Sequence, residues 1–321
     1  MTPTLHATPP WQAVRVTTAD GPRGETLLGV VDGRQEAGDP TFLVAQGFLA
    51  FVEPFEMQRF RLIASILRAR LVVVETPGAG FAASRLLPAE RRALLRGDFT
   101  VPARRMLRAA TDVLGADASG GGSGGAGASG ASGVSGVLGY SLGASFAAAM
   151  AAVSGTDHTG PPLRTVVLVE PVAIRRWSAK GLLAAVRREN RLIQSYLDET
   201  ATVPGAARPL EDRPDSEPVT RRRGDLLLLA NALRAARLGE DLVAGGRRRP
   251  GTEKRRLVVV RGERSTLSPR EGVASLVSSS ERHGWAAHLL SVPGPHAFWH
   301  SLPAVASATT RLGRVLETTS S

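Results

Sequence analysis

The chain has 321 residues, 43% of them hydrophobic and 21% charged, a formal net charge of +11 and no cysteine. That balance is ordinary for a globular protein and excludes wholesale disorder and fibrous structure. Without cysteine there are no disulfides, thiolate metal sites, iron–sulfur clusters or cysteine nucleophile.

The opening MTPTLHATPPWQ has no basic stretch followed by an apolar core, so no signal peptide is expected and a cytoplasmic location is the default. Two short strands are predicted at Trp11–Thr17 and Thr26–Val31, with Gly, Asp and Pro between them. Thr41–Gln46 and Leu71–Val74 are nearly continuous apolar runs, which suit strands covered on both faces. Pro54–Arg68, Leu86–Leu95 and Pro102–Leu114 carry apolar residues at helical spacing. Residues 116–136 are dominated by Gly and Ser and read as a disordered surface loop. Val137–Tyr140 is a further buried strand, followed by a helix of small residues at Ala144–Val153. Thr165–Val169, Leu257–Val260 and Ala287–Val292 complete the strands, and a last helix is expected from Ala304 to Glu317.

Strands alternating with helices imply an α/β fold with a mostly parallel central sheet flanked by helices. Two helical stretches, Ser178–Leu197 and Val219–Val243, are joined by the Pro-rich segment Pro204–Pro218. The organisation expected is therefore a core of residues 1–171 and 251–321, with a helical cap at 172–250. No apolar run reaches the roughly 18 residues that a membrane helix needs.

The most informative residues are Gly139-Tyr140-Ser141-Leu142-Gly143. G-x-S-x-G carries meaning when it joins a strand to a helix, because the serine then sits in a sharp turn that only small neighbours permit. Here it follows the apolar run at 136–138 and opens the small-residue helix.

With this elbow the chain resembles the α/β-hydrolase superfamily. Three further landmarks follow in the family's order. Ala45-Gln46-Gly47-Phe48 resembles the oxyanion strand, which usually ends His-Gly. Glu75-Thr76-Pro77-Gly78-Ala79-Gly80 resembles the Asp-x-Pro-Gly-x-Gly turn. Val292-Pro293-Gly294-Pro295-His296, followed by Pro303, resembles the loop of the catalytic histidine. The resemblance implies Ser141 as nucleophile, His296 as base, and the backbone N–H groups of Leu142 and Phe48 as the oxyanion hole. It implies no metal and no organic cofactor. His300, His283 and His288 compete with His296 for the base.

The third member departs from the family's commonest pattern. The usual acid position falls on Ser265, in Gly262-Glu263-Arg264-Ser265. A second family arrangement puts the acid at the end of the strand after the elbow, where Glu170 stands; Glu263 is the lesser candidate. The function expected is a serine hydrolase that cleaves a small-molecule carboxylic ester or thioester through an acyl-enzyme. A catalytically degenerate binding protein, an acyltransferase and a lyase are the alternatives. Apolar positions Leu182, Leu183, Val186, Leu192 and Leu226–Leu229 of the cap suggest an acyl or aromatic substrate pocket or, more simply, packing of the cap.

All but two of the 40 basic residues are arginines, with blocks at 221–223 and 247–249. Aromatics make up only 5% and do not interleave with these blocks, so a nucleic-acid partner is not expected. The sequence sets no oligomeric state.

Overall fold

The computed structural model describes residues 9–17, 25–36, 38–48, 50–79, 84–119, 134–155, 163–200, 223–235, 237–247 and 255–318. The eight strands are β1 (Trp11–Val16), β2 (Thr26–Asp32), β3 (Thr41–Ala45), β4 (Arg70–Val74), β5 (Gly136–Tyr140), β6 (Thr165–Val169), β7 (Arg255–Gly262) and β8 (Trp285–Val292). They form one sheet in the order β1-β2-β4-β3-β5-β6-β7-β8. β2 runs antiparallel to both β1 and β4, and every other neighbouring pair is parallel. β3, β4 and β5 are buried along their whole length, as central strands covered on both faces must be.

The helices are α1 (Pro54–Leu67), α2 (Pro88–Leu95), α3 (Thr100–Ser119), α4 (Leu142–Val153), α5 (Ala179–Thr200), α6 (Arg223–Leu233), α7 (Leu238–Arg247), α8 (Arg270–Arg282) and α9 (Leu302–Thr318). A 3-10 helix, His296–His300, precedes α9. One face of the sheet packs against α1, the 3-10 helix and α9 through Met57, Phe60, Ile63, Phe298, Val305 and Leu312. The other face packs against α3, α4, α7 and α8 through Met106, Phe146, Met150, Leu242, Val273 and Leu276. All twelve residues of α4 are buried, which its run of alanines permits.

The chain leaves β4, crosses by α2 and α3, and re-enters the sheet on the other side of β3. Strand order therefore reverses between β3 and β5, and the crevice outside their carboxyl ends is where such sheets bind ligands. β3 ends there at Gln46-Gly47-Phe48, and β5 ends there at Ser141.

Three elements differ from the sequence reading. The helix expected over Val219–Val243 is two helices. Arg234 at the break accepts a hydrogen bond from Trp177 N–H and donates from Nε to the Trp177 carbonyl, a tertiary contact without local signal. α8 was not anticipated; its Ser-rich sequence hides the apolar positions Val273 and Leu276 behind the start at Pro269. Of the Gly/Ser segment 116–136, residues up to Ser119 belong to α3 and Gly136 opens β5, while 120–133 lie outside the described residues. Pro204–Pro218 and most of both arginine blocks also lie outside them.

Of the stretch 172–250, α7 packs with the core helices: Trp285 Nε1 donates to Leu242 O at 2.7 Å, and Arg255 donates to Gly245 O at 2.7 Å. α6 rests on α2, where the buried carboxylate of Asp225 pairs with Arg91 and accepts from Leu86 N. α5 lies against the 3-10 helix, with the Tyr196 ring over Gly294. Leu182, Val186, Leu226, Leu228 and Leu229 pack on the core; Leu183 and Leu227 are exposed. Among the described residues no helix is long and apolar enough to cross a membrane.

Candidate active site

Ser141 joins β5 to α4 with φ 55° and ψ −113°, a conformation that an L residue adopts at a cost of about 1–3 kcal/mol. The turn is held by Ser141 N–H donating to Val169 O at 2.9 Å and by Ala144 N–H donating to Ser141 O at 3.1 Å. Its flanking glycines are obligatory. A Cβ on Gly139 would lie 2.2 Å from Gly143 O, and one on Gly143 would lie 2.0 Å from Ala45 O. Gly47, at the end of β3, is also close: a Cβ there would sit 2.8 Å from the Tyr140 ring and 3.6 Å from Ser141 Cβ. The strand end carrying Phe48 is thus beside the nucleophile candidate. Leu142 is the first residue of α4, where a helix N–H has no intrahelical acceptor.

His296 opens the 3-10 helix. Its Nε2 lies 3.1 Å from Ser141 Oγ, and its Nδ1 lies 2.8 Å from Glu170 Oε2. Glu170, just past β6, is fully buried and also has positive φ, 53°. Its N–H donates to Val260 O at 2.8 Å, which ties the strained residue to β7. Its carboxylate is fully engaged: Oε1 accepts from Gly262 N–H, and Oε2 accepts from Ser265 Oγ at 2.5 Å as well as facing the imidazole. Gly262 permits this approach, since a Cβ there would lie 2.6 Å from Gly294 O and 3.0 Å from Glu170 Oε1. Side chains from β5, β6 and the loop after β8 therefore form one hydrogen-bonded chain, Ser141–His296–Glu170.

The other candidates stand apart. Glu263 is exposed. His283 caps the far end of α8 through its own Ser279 carbonyl, and His288 is a residue of β8. His300 is near, but burial, the Arg59 guanidinium and His296 push its pKa down to about 3, so it stays neutral and cannot store a proton. Gln46 is buried at the strand end, where its backbone carbonyl accepts from Thr76 Oγ1 at 3.4 Å. Glu75 is buried at the end of β4.

Three supporting residues escaped the sequence reading. Tyr140, the variable middle of the motif, donates from its hydroxyl to His296 O at 3.2 Å and stacks on Trp299 at 5.1 Å. Burial and the Glu170 charge raise its pKa, so it remains a donor. Ser265 was legible only as a missing carboxylate. Glu189, in the charged run Arg187–Arg191 of α5, is 2% exposed. Its Oε2 accepts from His296 N–H at 3.0 Å, and its Oε1 accepts from Thr266 Oγ1 at 2.6 Å and from Thr266 N–H. A carboxylate among arginines on a helix reads as solvated until its neighbours are known. Among the described residues no cluster of His, Asp and Glu could hold a metal ion.

No protein-family model matches the chain, and no curated protein matches it by sequence. Solved structures do match. An esterase from Pyrobaculum calidifontis superposes with a TM-score of 0.55 at 15% identity, covering 97% of this chain and 85% of that one. An esterase from Pyrococcus furiosus gives 0.52 at 14% identity, covering 97% and 93%. A thioesterase domain from the curacin biosynthetic pathway gives 0.51 at 13% identity, covering 94% and 99%. These likenesses concern the fold, and they agree with the strand order and the strand–turn–helix at Ser141: the chain has the α/β-hydrolase fold.

Proposed function

We propose that the protein is a serine hydrolase that cleaves a carboxylic ester or thioester through an acyl-enzyme. The observation that carries this reading is the continuous chain from Ser141 Oγ to His296 Nε2 and from His296 Nδ1 to Glu170 Oε2. A serine hydroxyl is a weak nucleophile and needs a base within hydrogen-bond reach. In the proposed reaction Ser141 Oγ attacks the acyl carbon while His296 Nε2 takes its proton. Glu170 fixes the imidazole with Nδ1 protonated and offsets the charge of the imidazolium. The N–H groups of Leu142 and Phe48 face the oxyanion, a contribution worth about 100- to 1000-fold in rate per donor. His296 then protonates the departing alcohol or thiol, and the acyl-oxygen bond to Ser141 remains. A water molecule, deprotonated by the same imidazole, releases the acid and regenerates the serine. No step calls on a cofactor.

Esterases and a thioesterase domain among similar folds support this substrate class, and α5 with α6 form the cap we assign over the site. The test is a stopped-flow assay with short-chain p-nitrophenyl esters and with acyl thioesters, with intact-mass detection of the acyl-enzyme. An added acyl mass on wild type, absent from Ser141→Ala, is expected. Turnover that persists in Ser141→Ala would overturn the assignment.

A further inference from the structure

We propose that Glu189, on the cap helix α5, is a positioning residue that holds the His296 loop and the Ser265–Thr266 loop in register, so that docking of α5 assembles the triad. The role rests on the hydrolase reading; the contacts that carry it do not.

The base and the acid reach the site on separate loops. His296 follows β8, and Ser265, which holds Glu170, follows β7. Backbone bonds join the two loops on one side, with Glu263 N–H donating to Val292 O at 2.9 Å and Arg264 N–H to Gly294 O at 2.9 Å. On the other side Glu189 bonds to both loops at once: one oxygen takes His296 N–H and the other takes the hydroxyl and N–H of Thr266. Further along α5, Tyr196 lies against Gly294 and under the Arg264 guanidinium, and exposed Glu199 pairs with Arg264 at 3.1 Å. The His296 amide is the first of a 3-10 helix and needs an acceptor from elsewhere. Glu189 supplies it, and both residues are buried.

The consequence is mechanical. If α5 lifts, one carboxylate withdraws from both loops, and the imidazole is left with its side-chain contacts and the Tyr140 hydroxyl on its carbonyl. A displacement of about 1 Å at the base is enough for a rate loss on the order of 100-fold. Tyr196, two turns further along α5, packs its ring against the Gly294 backbone, so the same movement also frees the start of the histidine loop.

The experiment compares wild type, Glu189→Gln, Glu189→Ala and, as a control, Ser154→Ala. Ser154 is a fully buried hydroxyl after α4, bonded to Ala151 O and Leu163 N–H at the opposite end of the sheet. Readouts are kcat and KM for a short-chain p-nitrophenyl ester, the melting temperature, and the downfield proton resonance of His296 Nδ1–H. Glu189→Ala is expected to lower kcat about 10- to 100-fold with KM within about twofold, and to broaden or shift the resonance. Glu189→Gln keeps the shape but offers one acceptor to two loops, and is expected to fall between; it also decides the matter if Glu189→Ala does not fold. Ser154→Ala is expected to lower the melting temperature alone. A Glu189→Gln variant that melts lower but keeps kcat and the resonance would show a purely structural residue and overturn the proposal. If wild type cleaves no ester, the hydrolase reading fails separately, and the resonance alone then decides whether Glu189 sets the imidazole.

Discussion

The hydroxyl of Ser265 donates a 2.5 Å hydrogen bond to Glu170 Oε2, the oxygen that also lies 2.8 Å from His296 Nδ1. The position at which the family resemblance places the acid thus holds a hydroxyl bonded to a carboxylate from the neighbouring strand. Glu170→Gln is expected to cut kcat/KM by roughly 1,000- to 10,000-fold, because the amide no longer enforces the useful tautomer. Ser265→Ala removes one of three donors and is expected to cost about 10-fold or less. Ser265→Asp in a Glu170→Ala background is expected to recover at least about tenfold, since a carboxylate returns to the pocket. Steady-state kinetics on wild type and the four variants, Glu170→Ala included, checks this.

Gly262 lies close against both Glu170 and the histidine loop. A methyl group there would press on Gly294 O at 2.6 Å, Pro295 O at 2.7 Å and Glu170 Oε1 at 3.0 Å. Two of these are backbone atoms of the histidine loop and yield only if it moves. Gly262→Ala is expected to destabilise by about 1–3 kcal/mol and to reduce activity more steeply than stability. Denaturant melts and kcat/KM on the same sample separate the two effects.

Ser141 has φ 55° and ψ −113°, and in the proposed reaction its side chain is the nucleophile. Glycine relieves that strain. Ser141→Gly is expected to be inactive yet more stable than Ser141→Ala by about 1 kcal/mol, measured by chemical denaturation.

Asp241, on α7, has its pKa raised to about 7, first by burial and next by the charge of Asp98. The native state therefore binds a proton that the unfolded chain releases near pH 4. Stability is fullest below that value and falls as pH rises from about 4 to 7, by no more than about 4 kcal/mol. Asp241→Asn is expected to flatten this slope and to raise the melting temperature at pH 8 relative to wild type. Melting curves at pH 5 and pH 8 check both.

Much of this architecture is legible in the chain itself. TFLVA, RLVVV and TVVLV are nearly continuous apolar runs, short and rich in β-branched residues, which suits strands covered on both faces. The glycines around Ser141 mark a turn too tight for side chains. What escaped depends on tertiary contact. Glu189 looks like any charge on a helix surface, and its burial follows from where α5 lies. The break between α6 and α7 has no Gly or Pro, and Arg234 there exchanges hydrogen bonds with the Trp177 backbone. Family likeness points to Glu170, but in the sequence its partner Ser265 shows only as a missing carboxylate. The two are 95 positions apart, and no local pattern joins them.

The most direct test of an activated Ser141 is labelling with a fluorophosphonate probe, with the modified residue located by peptide mass spectrometry. One adduct on Ser141 is expected in wild type, none in Ser141→Ala, and labelling slowed by at least about 100-fold in Glu170→Gln. A folded wild-type protein that takes no label, or takes it at another residue, would contradict the assignment of the triad.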